Sequence, residues 1–488
     1  MLGSQPSQSA GAVLPASLKS TPTAPPLPPA KKADPKTFDE ALQEYFSKRP
    51  HLAAPKLYAY LESTSPTEEN YAWAEYFLAR SLIDVGLRHG GGYYLSKIAH
   101  ERSNPNVIPK ALESLKLLTE IAHDETMIDE QVFGSLDLGF LPPEVGDYAH
   151  YEQGMVDLRV GNERWANTHF SKLDEKSVES SRARFALLVT RLKTLKGEVP
   201  TETIDGFLEL SRDEKLSPET RNEARLAVAR LRYERKDFPG ALAAYEMVQL
   251  PKLDPGRASL YLEEAWTRYQ LGQVHAAMGL LTTLDAPTFR DEFLPDKYLL
   301  RSMVFRDLCH YLPAKRAAKE LTRRFAESLE AIHDRDDLTH DGRLRRAAES
   351  HGATQRAHKF LDAVNLEAER IGRYAGYFGD RLTGHLTKLY DLEHAEAERV
   401  YRARVEESVR EEADRLLRAA EQVRLMEYEV GLKLYERIKK GSKAVIPIEE
   451  DNLSPAQVAF RFDGEYWNDE LRNYRVSLKS RCVEDTAQ

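Results

Sequence analysis

From about Thr37 to Lys440, apolar residues recur at intervals of three and four, and runs of strict alternation are absent. Spacings such as Ala72-Phe77-Leu78-Leu82 and Leu112-Leu115-Leu117-Leu118 gather the apolar side chains on one face of an α-helix, whose period is 3.6 residues. The breaks between periodic stretches are short and carry Pro, Gly, Asp or Ser, as at Leu141-Pro142-Pro143 and Asp254-Pro255-Gly256. Helices of modest length joined by short breaks predict an all-α chain and prompt a search for internal repeats.

A repeat is present in the middle of the chain. Ala229–Tyr245 (ARLRYERKDFPGALAAY) aligns with Ala265–Leu281 (AWTRYQLGQVHAAMGLL) at an offset of 36 residues. Ala229 falls on Ala265, Tyr233 on Tyr269, Phe238 on Val274, Ala241 on Ala277 and Tyr245 on Leu281. Gly154–Phe170 has the same form, with Gly154 and Gly161 at the small positions, Ala166 as the second-helix alanine and Phe170 four residues on. Tyr298–Phe325, Tyr71–Ala122 and Arg182–Leu210 read as degenerate copies. The logic is steric: a small residue in the first helix faces a small residue in the second, so the pair crosses closely, and a large residue one turn later fills the gap. A glycine such as Gly161 or Gly272 supplies the tight connection.

This pattern resembles the tetratricopeptide repeat (TPR), with departures: Arg225 stands where that family prefers Trp, and only some pairs end near a proline such as Pro251 or Pro255. The resemblance implies a TPR-like helical-hairpin solenoid over residues 37–325. Leu260–Gly272, Leu284–Arg301, Leu308–Ala318 and the tail Phe462–Val476 (FDGEYWNDELRNYRV) further resemble TPR proteins of the myxobacterial adventurous gliding-motility complex. That resemblance implies a periplasmic scaffold in a multi-protein envelope machine.

Beyond the array the pattern changes. Residues 326–386 read as a helical connector. Within it, His333–His340 forms a polar break, and Gly372, Gly376, Gly379 and Gly384 are expected to interrupt or kink the helix. Residues 387–440 read as a long charged helix in which Val409, Leu416, Val423 and Val430 recur every seven residues, with Ala413, Ala420 and Leu434 on the companion stripe. Such a seam serves either self-association or packing back on the solenoid. In the tail, 441–488, alternation at Val458-Phe460-Phe462 and Tyr474-Val476-Leu478 with a turn at Asp463-Gly464 suggests a small aromatic strand or hairpin cap.

Composition narrows the function classes. The 488 residues are 42% hydrophobic and 30% charged, and no run approaches ~18 uninterrupted apolar residues, so no integral membrane segment is expected. A net charge of −9 argues against a global nucleic-acid surface, and no nucleic-acid partner is expected. Residues 1–36 hold eight prolines and no acidic residue before Asp34, and read as a disordered segment. The opening lacks a charged n-region and a continuous apolar h-region, which is not a secretory signal. A cytoplasmic protein and an exported one whose signal is missing both fit. Two cysteines, Cys309 and Cys482, cannot build a disulfide scaffold or a four-thiolate metal site, and Cys309 reads as a half-buried structural residue.

No clear chemistry emerges. The His333–Asp341 cluster reads as a solvated charged loop, and Gly90-Gly91-Gly92 as a flexible break between helices, since no phosphate-loop lysine follows. The chain contains no GxSxG, HExxH or CxxC motif. We therefore expect a non-enzyme without cofactor or metal: a protein–protein interaction scaffold, with a general TPR adaptor as the alternative and a solenoid enzyme as a remote one. Candidate partner-binding residues are Arg184, Tyr233, Arg268, Tyr269 and Arg301 on the array, with Lys315, Arg316 and Lys319 as a basic face near its end. Expected partners are other proteins of the envelope or motility complex, with self-association through the long helix possible.

Overall fold

The computed structural model describes residues 35–439 and 463–482, apart from 103, 135–137, 139–140, 253 and 468–469. In chain order its helices are α1 (Pro35–Phe46), α2 (Pro50–Ser63), α3 (Tyr71–Asp84), α4 (Arg88–Glu101) and α5 (Ile108–Thr119); a π-helical turn (Thr126–Phe133); α6 (Pro143–Arg159), α7 (Glu163–Phe170), α8 (Val178–Thr194), α9 (Thr201–Leu210), α10 (Pro218–Glu234), α11 (Phe238–Glu246), α12 (Gly256–Gln270) and α13 (Val274–Thr283); then α14 (Asp296–Asp307), α15 (Tyr311–Arg324), α16 (Ala326–Asp334), α17 (Gly342–Glu349) and α18 (Gly352–Lys439).

One turn recurs along the array. Lys48, Gly86, Gly161, Lys236, Gly272 and Cys309 each adopt a left-handed φ, from 58° to 85°. The residue after each donates its N–H to the carbonyl five positions back, at 2.8–3.0 Å, and the second helix of the pair starts at the next residue. This arrangement ends the first helix with its last carbonyls satisfied and fixes the departure angle of the second. It shapes α1/α2, α3/α4, α6/α7, α10/α11, α12/α13 and α14/α15.

The steric reading of the repeat holds in the packing. Ala229, Ala241, Ala265 and Ala277 are fully buried where paired helices cross, with Tyr245 and Leu281 filling the next turn. At α6/α7 the fit is tighter still: a Cβ on Gly154 would lie 2.3 Å from the ring of Phe170. The Gly90–Gly92 expectation is corrected. These glycines lie inside α4 and are buried, because close packing needs them. A Cβ on Gly91 would meet the Ala79 carbonyl oxygen at 2.8 Å and Ile83 Cγ1 at 2.4 Å.

The long helix is two arms. At Gly379 the backbone (φ 70°, ψ 171°) leaves helical space for a region open essentially to glycine alone. The arms then run back along each other. The hydroxyls of Thr354 and Ser408 meet at 3.0 Å, the rings of His358 and Tyr401 at 5.0 Å, and Tyr390 reaches Glu367 at 2.6 Å. Each pair sums to nearly the same total, as an antiparallel hairpin centred on Gly379 requires. Gly372, Gly376 and Gly384 stay helical, so of the four expected interruptions only Gly379 is one.

This hairpin braces both ends of the array. Its tip (Ile371, Phe378, Leu382, Leu386, Tyr390) joins the core of the N-terminal hairpins. The second arm (Val405, Val409, Ala413, Leu416, Val423) packs with Leu299, Ala318, Leu321 and Leu344 from α14, α15 and α17. Val430 continues onto Ala314. The heptad seam is therefore buried within the chain, which selects packing back over self-association for that stripe.

The tail is neither strand nor hairpin among its described residues. It makes a 3₁₀ turn at Leu471–Asn473 and runs extended beyond it along α13. The alternation at Val458-Phe460-Phe462 lies outside the described residues. No helix among the described residues is long and apolar enough to cross a membrane.

Candidate functional site

The tail sits on a built seat formed by α11, α12, α13 and the α14/α15 turn. Leu471 is buried in the core of the array, with Tyr466, Tyr474, Val476 and Leu478 packed partly against it. Main-chain bonds hold the extended part. The Val476 amide donates to the His275 carbonyl at 3.0 Å, the Arg481 amide donates to the Leu308 carbonyl at 3.0 Å, and the Thr283 hydroxyl donates to the Leu471 carbonyl at 2.5 Å. His310 Nε2 donates to the Lys479 carbonyl at 2.6 Å. Gly279 on α13 makes the approach possible, because a Cβ there would lie 1.8 Å from the Tyr474 carbonyl oxygen.

Charge fixes the register. The Glu264 side chain is fully buried on α12. Its Oε1 accepts from Arg268 Nε and Nη2, at 3.0 and 2.8 Å, and its Oε2 accepts from Arg472 of the tail at 3.0 Å. Arg472 also donates to the Tyr245 carbonyl at 3.1 Å. A buried carboxylate needs such partners to offset its lost hydration.

A disulfide closes the seat. Cys309, at the left-handed position of the α14/α15 turn, is bonded to Cys482 across a sequence separation of 173. Cys309 is half-buried, as expected, and the pairing with Cys482 is what the sequence reading did not foresee. The extended tail passes beside this turn, where the Arg481 amide meets the Leu308 carbonyl.

The structure places the sequence candidates as follows. Arg268 is engaged beneath the tail, bonding Glu264, Glu246 and Gln273. Tyr269 donates to the Asp307 carboxylate. Arg301 donates to the Leu281 carbonyl and to Asp285, both at 2.6 Å. Tyr233 stacks edge-on with Phe238, and Arg184 pairs with Glu209 at 2.7 Å on the surface. Lys315, Arg316 and Lys319 stand on α15 and form no ion pair among the described residues. His340 contacts Asp337 at 3.2 Å on an exposed turn, while His333 ends α16.

A second surface was missed from sequence. On the second arm of α18, Leu425, Tyr428, Leu432, Tyr435 and Ile438 are 47–71% exposed. At 100° per residue the first four lie within about 80° of arc, opposite the buried stripe of Val423, Met426 and Val430. The seven-residue repeat marks the buried stripe, and the outer row lies within a stretch that reads as a long charged helix.

Where the hairpin tip meets the N-terminal hairpins, a polar cluster is buried. Glu367 accepts from the His89 amide at 2.9 Å and from Tyr390 Oη at 2.6 Å, and Tyr390 accepts from the Gly90 amide at 3.0 Å. A carboxylate thus caps the N-terminus of α4, where the helix dipole favours it. Burial, and then the neighbouring Asp124 with which it hydrogen-bonds, push Glu393 up to about 8. Burial lowers His89 to about 4. Their 3.5 Å approach is therefore one between neutral groups at neutral pH. These groups clamp the helices together, and His89, Asp124 and Glu367 line a small cavity of about 40 Å³ with Arg88, His123 and Phe360.

No family model matches the chain, and no curated protein matches it.

Proposed function

We propose that the protein is a non-catalytic interaction scaffold of the cell envelope, acting outside the cytoplasm. The observation that carries the scaffold reading is the outer row of α18. Contiguous exposed apolar patches mark interaction sites, because their exposure is costly unless a partner covers them. Two tyrosines in that row suit an interface, being large, rigid and amphipathic. The array behind it is braced at both ends, so the row is presented without a large ordering cost.

The compartment rests on the disulfide. Cys309–Cys482 bonds persist in oxidising surroundings and are rare where glutathione and thioredoxin keep thiols reduced. This favours the exported reading over a cytoplasmic adaptor. The resemblance of Leu260–Gly272, Leu284–Arg301, Leu308–Ala318 and Phe462–Val476 to gliding-motility TPR proteins supports a place in an envelope motility assembly. The test is affinity capture from fractionated cells with the wild type and a Leu425→Ser/Tyr428→Ser/Leu432→Ser/Tyr435→Ser variant. The reading expects defined envelope partners with the wild type and their loss with the variant. The same partners with both proteins, or recovery of a reduced chain from the cytosol, would overturn it.

A further inference from the structure

We infer that the face of α11–α13 now covered by residues 466–467 and 470–481 is a docking site for an extended peptide with a Leu-Arg pair followed by alternating apolar residues. The chain's own tail occupies this site, latched there by the Cys309–Cys482 bond. The inference deepens the scaffold reading by naming a second binding surface, but it stands on separate residues.

Three features make this a recognition site rather than a mere end cap. First, beside the packing of Tyr474, Val476 and Leu478, the extended part is held through backbone groups: the Val476 amide, and the Lys479 carbonyl that accepts from His310. Backbone recognition tolerates different side chains, which is how extended peptides are commonly bound. Second, specificity is concentrated at two adjacent positions. The buried Leu471 enters the core, and the Arg472 guanidinium meets the inward-facing Oε2 of Glu264. Glu264 has its other oxygen served by Arg268, so the array holds this carboxylate in place and leaves one oxygen for a guanidinium from outside. Third, Gly279 clears a path for foreign backbone across α13, at the place where the preceding repeat carries Ala243.

The occupant is joined to α18 only through residues 440–462, a length of chain able to span tens of ångströms. Beyond that link the disulfide is its sole covalent hold. Opening the bond takes two electrons and two protons from an external dithiol, leaves two protein thiols and converts the dithiol to its own disulfide. The tail then competes with other segments at an effective concentration set by its link alone.

The experiment uses the full-length chain and a fluorescent peptide of residues 463–481, which lacks the cysteine. Binding is read by anisotropy to the oxidised protein, to the protein reduced with dithiothreitol, and to a Cys482→Ser variant. We expect binding to the reduced protein and to Cys482→Ser at least ten-fold tighter than to the oxidised protein. A peptide with Arg472→Glu should lose it. Gly279→Leu should abolish binding in the Cys482→Ser background. Should Gly279→Leu fail to fold, Glu264→Gln in that background replaces it, with a reduced discrimination between the two peptides expected. No binding to the reduced protein, equal binding to the oxidised one, or equal binding of the Arg472→Glu peptide would overturn the inference. None of these outcomes touches the α18 row, so the scaffold reading fails or survives on its own test.

Discussion

Single side chains settle much of how this chain is held. Glu75 is buried on α3 and is met by Lys97 of α4 at 2.6 Å. Burial raises the Glu75 carboxyl and Lys97 opposes that shift. Removing the lysine strands a buried charge, so Lys97→Met should cost about 3 kcal/mol in urea unfolding, the low end for breaking such a pair because Lys97 is partly exposed. Glu393 makes a pH prediction. Its folded value of about 8 lies above the ordinary 4.5, so folding takes up a proton between those values and stability falls as pH rises through 8. Glu152, at about 7, acts in the same direction. His89, lowered from 6.5 to about 4, acts oppositely, removing stability as pH falls between those values. Above pH 6.5 the loss at the carboxyls stands unopposed by His89. Glu393→Gln should flatten the decline of Tm between pH 6.5 and 8.5; an unchanged slope would show that Glu393 is not protonated in the folded chain.

At the scale of elements, the shared hairpin turn decides where helices end. Its left-handed residue is glycine at 86, 161 and 272 but Lys48, Lys236 and Cys309 elsewhere. A Cβ in that conformation costs ~1–2 kcal/mol, partly offset by the smaller entropy of the unfolded chain. Gly272→Ala should therefore destabilise by about 1 kcal/mol, and Lys236→Gly should stabilise by about 0.5 kcal/mol, both measurable by chemical denaturation. This level was largely legible in the sequence. Alanine and glycine at Ala229, Ala241, Ala265, Ala277 and Gly154 are spaced as close helix crossings demand, and the spacing survives in one dimension. The reversal at Gly379 was only half legible. Four glycines stand at 372, 376, 379 and 384, and composition cannot tell which leaves helical space, since glycine tolerates both states. The Gly90–Gly92 run misled for the same reason: it marks close packing of α4, not a break.

For the whole molecule, the α18 hairpin ties the first and last hairpins of the array together, and the tail and disulfide close its C-terminal end. These features join residues far apart in the chain: 119 positions for Asp296 and Arg415, 173 for the disulfide and 278 for Glu367 and the His89 amide. Local periodicity carries no information on such pairings, so neither the disulfide nor the seat around Gly279 was visible beforehand. Arg268, Tyr269 and Arg301 are spent on neighbours within the array, whereas the outer row of α18 was hidden in a sequence that reads as charged. The central claim is that this row is covered by another polypeptide in the cell. The most direct measurement places a photo-reactive amino acid at Tyr428 in the full-length protein, expressed in its own cells, with the exposed Arg402 as the control position. The account predicts a discrete cross-linked species from position 428 and none from position 402; the absence of any product at 428 in a normally folded protein would contradict it.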